Sequence, residues 1–527
     1  MSETTGTRRS RPGFLRAVTR RFGTWPLFGV ILVWVVLALV VFTVLGWLWG
    51  EGPLWSDRWL TNWRSAGARA IPLDLVKVSL TTIGGIGGTG YLVIKYRERA
   101  SAERAERDAE QDRAEQRLLS GVQQLGSESP QVRIAGVYSL ADVADTYRGE
   151  YRQRVVSILC GYLRTQRGER ETVISEQDGP EQSSEEEVYV NHDGAVESTV
   201  LEVLVRHLRK RREKTEHREA VTQLVEDDQL WCDCTIDLHD AVLTEIADFR
   251  GATFTNHANF GRVTFTNDVN FERATFTNDV NFGGATFTND VNFGGATFTN
   301  HVNFGRATFK AHANFSGATF KAHANFSGAT FKARANFWDA TFTNHANFGR
   351  ATFTNHVNFG RATFKARANF WDATFTNHAN FGGVTFTNGA NFQGATFKAH
   401  ANFERATFTN HAYFNGATFN RVAYFGGATF TNNAYFRGAT FTNDAYFGGA
   451  TFTNDANFSG ATFNRDADFE RATFNRANFR GATFSRSARP MGLPPKQVDE
   501  DGLPHGARWA DVDDEGLETG SPDDAPR

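Results

Sequence analysis

Ala285-Thr-Phe-Thr-Asn-Asp-Val-Asn-Phe-Gly-Gly295 decides how this chain is read, because the same eleven residues begin again at Ala296. With small changes the phrase recurs from about Leu238 to Phe484. Its phenylalanines fall at Phe254, Phe260, Phe265, Phe271, Phe276 and Phe282, so the spacing alternates six and five. An amphipathic helix needs apolar residues at i, i+3, i+4 and i+7, and neither interval supplies them. A short fixed period over many copies is the mark of a solenoid, in which short extended legs turn corners and stack on the legs below.

Each eleven-mer holds two small-x-Phe triads, such as Ala252-Thr253-Phe254 and Ala258-Asn259-Phe260. Side chains alternate faces along an extended leg, so Ala and Phe point inward while Thr, Asn, Lys, His and Asp point outward. Two eleven-mers then close a four-sided coil of 22 residues, with Phe254, Phe276, Phe298 and Phe320 in one internal column. At roughly 4.8 Å per coil, about eleven coils give a rod on the order of 50 Å long. Gly294-Gly295 and Ser316-Gly317 suit tight corners. Every second leg carries an extra residue, such as His257 or Asp279, which predicts a bulge or a wider corner and leaves a flatter cross-section open.

This pattern resembles the pentapeptide-repeat family, whose five-residue phrase puts a small residue at i−2 and Leu or Phe at i. Leu238, Leu243 and Phe249 in the lead-in, and Phe474, Phe479 and Phe484 at the end, keep the same register. The resemblance covers nearly half of the 527 residues and implies a right-handed quadrilateral β-helix. It also implies one possible activity, since some members mimic duplex DNA with a strongly acidic rod and modulate DNA gyrase. From Gly251 to Phe484, however, nineteen Lys/Arg stand against twelve Asp/Glu. A duplex carries about one negative charge per 1.7 Å, so a net basic rod imitates it poorly. The resemblance further implies dimers held by an apolar C-terminal helix, whereas the tail here is acidic.

The rest of the chain divides by composition. Residues 1–24 form a basic segment with Arg8, Arg9, Arg11, Arg16, Arg20 and Arg21. Leu27 to Leu48 contains no charge, and a bilayer needs about 20 apolar residues, so 25–49 is expected to span a membrane. Residues 71–94 are expected to span it again, with 50–70 as a short external loop carrying Trp55, Trp59 and Trp63. The surplus of Lys and Arg on both outer flanks places both termini and the rod in the cytoplasm, at a cell membrane crossed twice. Gly85-Ile-Gly87-Gly-Thr-Gly90 matches a dinucleotide fingerprint, but no strand follows it, and its small residues fit helix packing better. A charged stalk helix is expected over 95–117. A helical neck follows over 118–235, in part similar to HEAT-type units (Gln124 to Leu140), with an acidic loop at 166–193 and a basic helix from about Ser198 to Glu213. The β-helix occupies 236–485, and 486–527 reads as a disordered acidic tail.

No residues converge on chemistry. His257, His301, His323, His345 and His411 share one external column, and His312, His356, His378 and His400 a second. Arg334 and Arg367 occupy the same slots, which works against fixed metal ligands. Cys160, Cys232 and Cys234 make neither a disulfide framework nor a zinc spacing. Thr-x-Thr ladders similar to those of ice-binding β-helices are interrupted by Lys310, Lys321, Lys332, Lys365 and Lys398. The sequence is therefore expected to be no enzyme, with no catalytic, cofactor-binding or metal site. It reads as a membrane-anchored scaffold that offers its β-helix to a protein partner. The alternatives are a gyrase-directed DNA mimic, or a rod that touches nucleic acid or anionic lipid; charge disfavours the first.

Overall fold

The computed structural model describes residues 73–176, 183–211, 223–486, 490–493 and 498–510, with scattered positions between 32 and 47. It divides into two units, residues 1–113 and 114–527. Most of the first expected span, the external loop and the last seventeen residues lie outside the described set.

Helix α1 runs over Leu73–Leu125. In its first half the hydroxyls of Thr81, Thr82 and Thr89 donate to the carbonyls of Lys77, Val78 and Gly85. Gly85 to Gly90 lie inside this helix rather than at a strand-to-helix turn, so the dinucleotide geometry is absent there. Among the described residues no helix is long and apolar enough to cross a membrane, so the second expected span, 71–94, has no support there. The reason is dilution: Gly84, Gly85, Gly87, Gly88 and Gly90, three threonines, Ser79 and Lys77 interrupt the apolar residues.

In the second unit the end of α1 packs with α2 (Pro130–Tyr147), α3 (Gly149–Arg164) and α4 (Gly194–Leu208). Ser129 occupies the N-cap position of α2 ahead of Pro130 without a side-chain capping bond, the start that the Ser-Pro pair predicts. Gly136 allows α2 to approach α1 closely, since a Cβ there would lie 2.6 Å from the Leu125 nitrogen. The expected acidic loop is instead an antiparallel hairpin of β1 (Gly168–Glu176) and β2 (Ser183–Asn191). Its high charge hid β-branched runs, Thr172-Val-Ile174 and Val188-Tyr-Val190, that favour extended backbone.

The solenoid begins at Ile236, and each coil has four short legs. In one coil these are Thr253–Phe254, Ala258–Asn259, Thr264–Phe265 and Val269–Asn270, here the first to fourth faces. Each leg pairs in parallel with the same leg one coil on, as Thr253 with Thr275 and Val269 with Val291. The third and fourth faces form sheets of 13 and 12 strands, and a 21-stranded sheet takes up the first and second. This register settles the cross-section as four-sided. The extra residue makes the wide corner after the first and third faces, where the Asn256 side-chain oxygen accepts the His257 N–H at 2.8 Å. The other two corners are tight and place a residue at positive φ, such as Arg262 (57°) or Gly284 (68°). Near the end the Phe474-to-Phe479 leg drops the extra residue. Register then slips between Phe452 and Asp455, and the first two faces run on as single strands, Thr451–Asn457 and Thr473–Asn478.

Inside, the phenylalanines stack by column, with Phe254 and Phe276 at 4.7 Å and 5°. Neighbouring columns meet edge to face, as Phe260 and Phe271 do at 5.6 Å and 78°. Both geometries suit the aromatic quadrupole, and alanines or valines fill the remaining space.

Both ends are covered, which matters because an open β-helix end exposes unpaired strand groups. At the N-terminal end, Arg152 donates to the Leu230 carbonyl, Arg164 to Asp237 and Arg209 to the Asp248 carbonyl. Arg209 thus serves the cap rather than a solvated helix face. At the other end, part of the expected disordered tail is ordered. Pro490–Met491 adds to the fourth face and Arg508–Trp509 to the third, pairing Phe484 with Trp509, while Leu503 is buried. Prolines and acidic residues mask these short pairings in the sequence.

Candidate binding surface

The outward residue of each leg sits directly above its counterpart one coil away, so side chains form ladders. On the second face the amide of Asn281 donates to Asn259 at 3.0 Å, Asn303 to Asn281 at 3.0 Å and Asn325 to Asn303 at 2.9 Å. Each side-chain oxygen also accepts a backbone N–H two residues on, as Asn281 does from Gly283 at 2.9 Å. The fourth face repeats this from Asn292 to Asn314 and Asn336. These amides therefore hold corners to legs and coils to one another.

Toward the C-terminal end tyrosine replaces asparagine in the same slot. Tyr413 and Tyr435 stack at 5.1 Å and 6° on the second face, and His411 lies parallel to Tyr435 at 6.0 Å. On the fourth face Tyr424 and Tyr446 stack at 5.5 Å. All four are half-buried and replace the amide ladder between coils with ring stacking. Tyrosine is enriched at protein interfaces because it offers apolar area with a polar tip. The sequence reading passed over this ladder, although Ala-Tyr-Phe in place of Ala-Asn-Phe at 412–414, 423–425, 434–436 and 445–447 was its signal.

A second feature lies at the tight corners. Arg361 sits 5.4 Å above the Trp338 ring, and Trp338 itself overlies Gly360, where a Cβ would meet the indole at 2.6 Å. On the opposite corner Arg350 covers Trp371 at 4.5 Å.

The two histidine columns are where the spacing places them, on the two wide corners. His301 and His323 are 6.3 Å apart between ring centres, and His356, His378 and His400 follow at 6.1 and 6.4 Å. Burial and the adjacent imidazoles hold His323 and His378 below the ordinary histidine value. Among the described residues no group of three or more His, Cys, Asp or Glu is arranged to hold a metal. Cys160, Cys232 and Cys234 are buried in the neck and cap.

A four-sided parallel solenoid with a five-residue inward phrase defines the class of pentapeptide-type β-helices. The family described as pentapeptide repeats (9 copies) matches at residues 235–275, 271–319, 293–341, 311–352, 337–385, 372–418, 403–451, 414–462 and 447–489. Through this region the chain belongs to the pentapeptide-repeat family. No curated protein and no solved structure matches it.

Proposed function

We propose that this chain is a non-enzymatic, membrane-anchored scaffold whose β-helix holds a protein partner along its side-chain ladders. The observation that carries the reading is the exchange of a structural asparagine ladder for stacked tyrosines on two faces of the same coils. Solenoids offer long regular surfaces of this kind for binding. The basic charge of the solenoid is opposite to what a duplex mimic needs, so gyrase modulation gains no support from it.

The test uses full-length protein in cells, with crosslinking, enrichment and mass spectrometry. The control changes Tyr413, Tyr424, Tyr435 and Tyr446 to Asn, the residue that other coils carry in those slots, so the fold is retained. Capture of a partner that the control loses supports docking on the tyrosine ladder. Identical partner sets would move the binding function elsewhere, and topoisomerase subunits among them would revive the mimic.

Anchoring is proposed through the uncharged run Leu27 to Leu48. The surplus of Lys and Arg in both 1–24 and 95–107 favours a cytoplasmic β-helix, an orientation that requires a second crossing before Lys95 besides Leu27 to Leu48. Protease added to intact spheroplasts should leave residues 95–527 uncut, and digestion there would overturn that orientation.

A further inference from the structure

Charge is not spread evenly along the solenoid. Residues 300–405 hold eleven Lys/Arg against three Asp/Glu, whereas 251–299 hold two against four. Four of the eleven lie on the wide corner after the third face, against three on the opposite wide corner and four on the tight corners. On the corner after the third face Lys310, His312, Lys332, Arg334, Lys398 and His400 are all exposed. Among the described residues no ion pair engages Lys310, Lys332, Arg334 or Lys398, unlike Arg262 and Arg361, which pair with Asp240 and Asp339.

The chain leaves the solenoid at this same corner. The Lys398 N–H donates to the Phe375 carbonyl on the third face. Ala510 repeats that bond at the last coil, donating to Phe484 at 2.8 Å. Residue 511 therefore starts in line with the lysine column. Residues 511–527 carry seven Asp/Glu and one Arg. Seventeen residues reach at most about 60 Å when extended. Lys398 lies five coils back and Lys310 nine, about 24 and 43 Å at roughly 4.8 Å per coil. The corner between carries Arg421, Arg465 and Arg486 against Asp444 and Asp466, a stretch of small net positive charge to cross.

We propose that the Lys310–His400 corner is a docking surface for an extended acidic polypeptide, and that its resident occupant is this chain's own segment 511–527. Carboxylates of Asp511 to Glu518 run back along the corner as far as Lys398, and Asp523 and Asp524 reach on toward Lys332 and Lys310. A partner with an acidic extended segment would then have to displace the tail.

Zero-length carbodiimide crosslinking of the purified full-length protein tests this, with peptide mapping of the monomer fraction. The ion pair Lys95–Glu98, at 2.9 Å, is the internal positive control. The expected result is amide links from Lys310, Lys332 or Lys398 to tail carboxylates, with few from Lys321 and Lys365 on the opposite wide corner. Their yield should fall at least about fivefold between roughly 0.05 and 0.5 M salt, since exposed charges are screened over that range. Changing Lys310, Lys332 and Lys398 to Thr, the residue at 354 and 376 in the same column, should raise the mobility of a fluorophore on the C-terminal residue. Tail links spread equally over both corners would overturn the proposal. So would control links without tail links, or tail links confined to crosslinked dimers, which would assign the corner to a second copy.

Discussion

Arg167 donates to Glu197 at 3.0 Å in a position where their side chains are 3% and 0% exposed. The same carboxylate accepts the backbone N–H groups of Thr244 and Glu245, at 2.6 and 3.0 Å, and the Asn191 amide. Arg167 also reaches the Val242 carbonyl at 2.6 Å. The pair thus supplies partners to the first leg of the third face, which has no coil below it. Burial pushes the Glu197 carboxyl up and the Arg167 guanidinium down, against their mutual attraction.

Glu197→Ala should therefore destabilise the cap by about 3–5 kcal/mol, because it strands a buried guanidinium and two backbone donors. Urea unfolding followed by the fluorescence of Trp231, which is fully buried against His207 at 3.9 Å, would read the loss. Adding Arg167→Met should recover part of it, since the uncompensated charge is then gone. A loss below about 1 kcal/mol would show that the pair is dispensable to the cap.

What the sequence made legible followed from periodicity. The 22-residue register, the inward Phe and Ala columns and the wide corner at His257 each repeat often enough to read without neighbours. The cap was legible only as a requirement, because Glu197 and Thr244 are 47 residues apart and nothing local joins them. The hairpin at 168–191 and the end strands at Pro490 and Arg508 were hidden for a related reason. Pairing to a neighbouring strand, rather than local composition, makes them extended. The tyrosine ladder was visible as four substitutions in a fixed slot, but its stacking is a property of adjacent coils.

Phe326→Ala should cost about 3–5 kcal/mol, the usual range for a buried phenylalanine. Its ring stacks between Phe304 and Phe348, at 4.9 and 4.7 Å, and touches Phe315 and Phe337 edge-on. A solenoid is a row of nearest-neighbour interfaces, so the damage should stay local. Hydrogen exchange should quicken in the coils on either side of Phe326 and stay unchanged near Phe458. Uniform acceleration along the rod would mean that the solenoid unfolds as one unit.

Acid should weaken the middle coils. His323 and His378 have folded values below the unfolded one, about 6.5, so the folded state favours their neutral forms. Their contribution is complete above the unfolded value and is lost as pH falls through the lower folded value. The melting temperature should accordingly drop as pH is lowered from neutral to below 6. His323→Asn with His378→Asn should flatten that slope while leaving the neutral melting temperature nearly unchanged. An equally steep slope in the double variant would assign the acid sensitivity to other groups.

Burial pushes the thiols of Cys160 and Cys234 up to about 12, and the Cys232 thiol is also buried and faces the Leu208 carbonyl at 3.5 Å. The thiolate is the reacting species, so at pH 8 such a thiol should be alkylated about three orders of magnitude more slowly than a free cysteine. Its rate then reports how often the neck opens from the first coil, because Cys160 lies on α3 and Cys234 just before Ile236. Native protein should resist a maleimide for hours and react at once in urea. Glu197→Ala should speed Cys160 and Cys234 together, since one cap shelters both. Acceleration of only one of them would show that the neck and the first coil open independently.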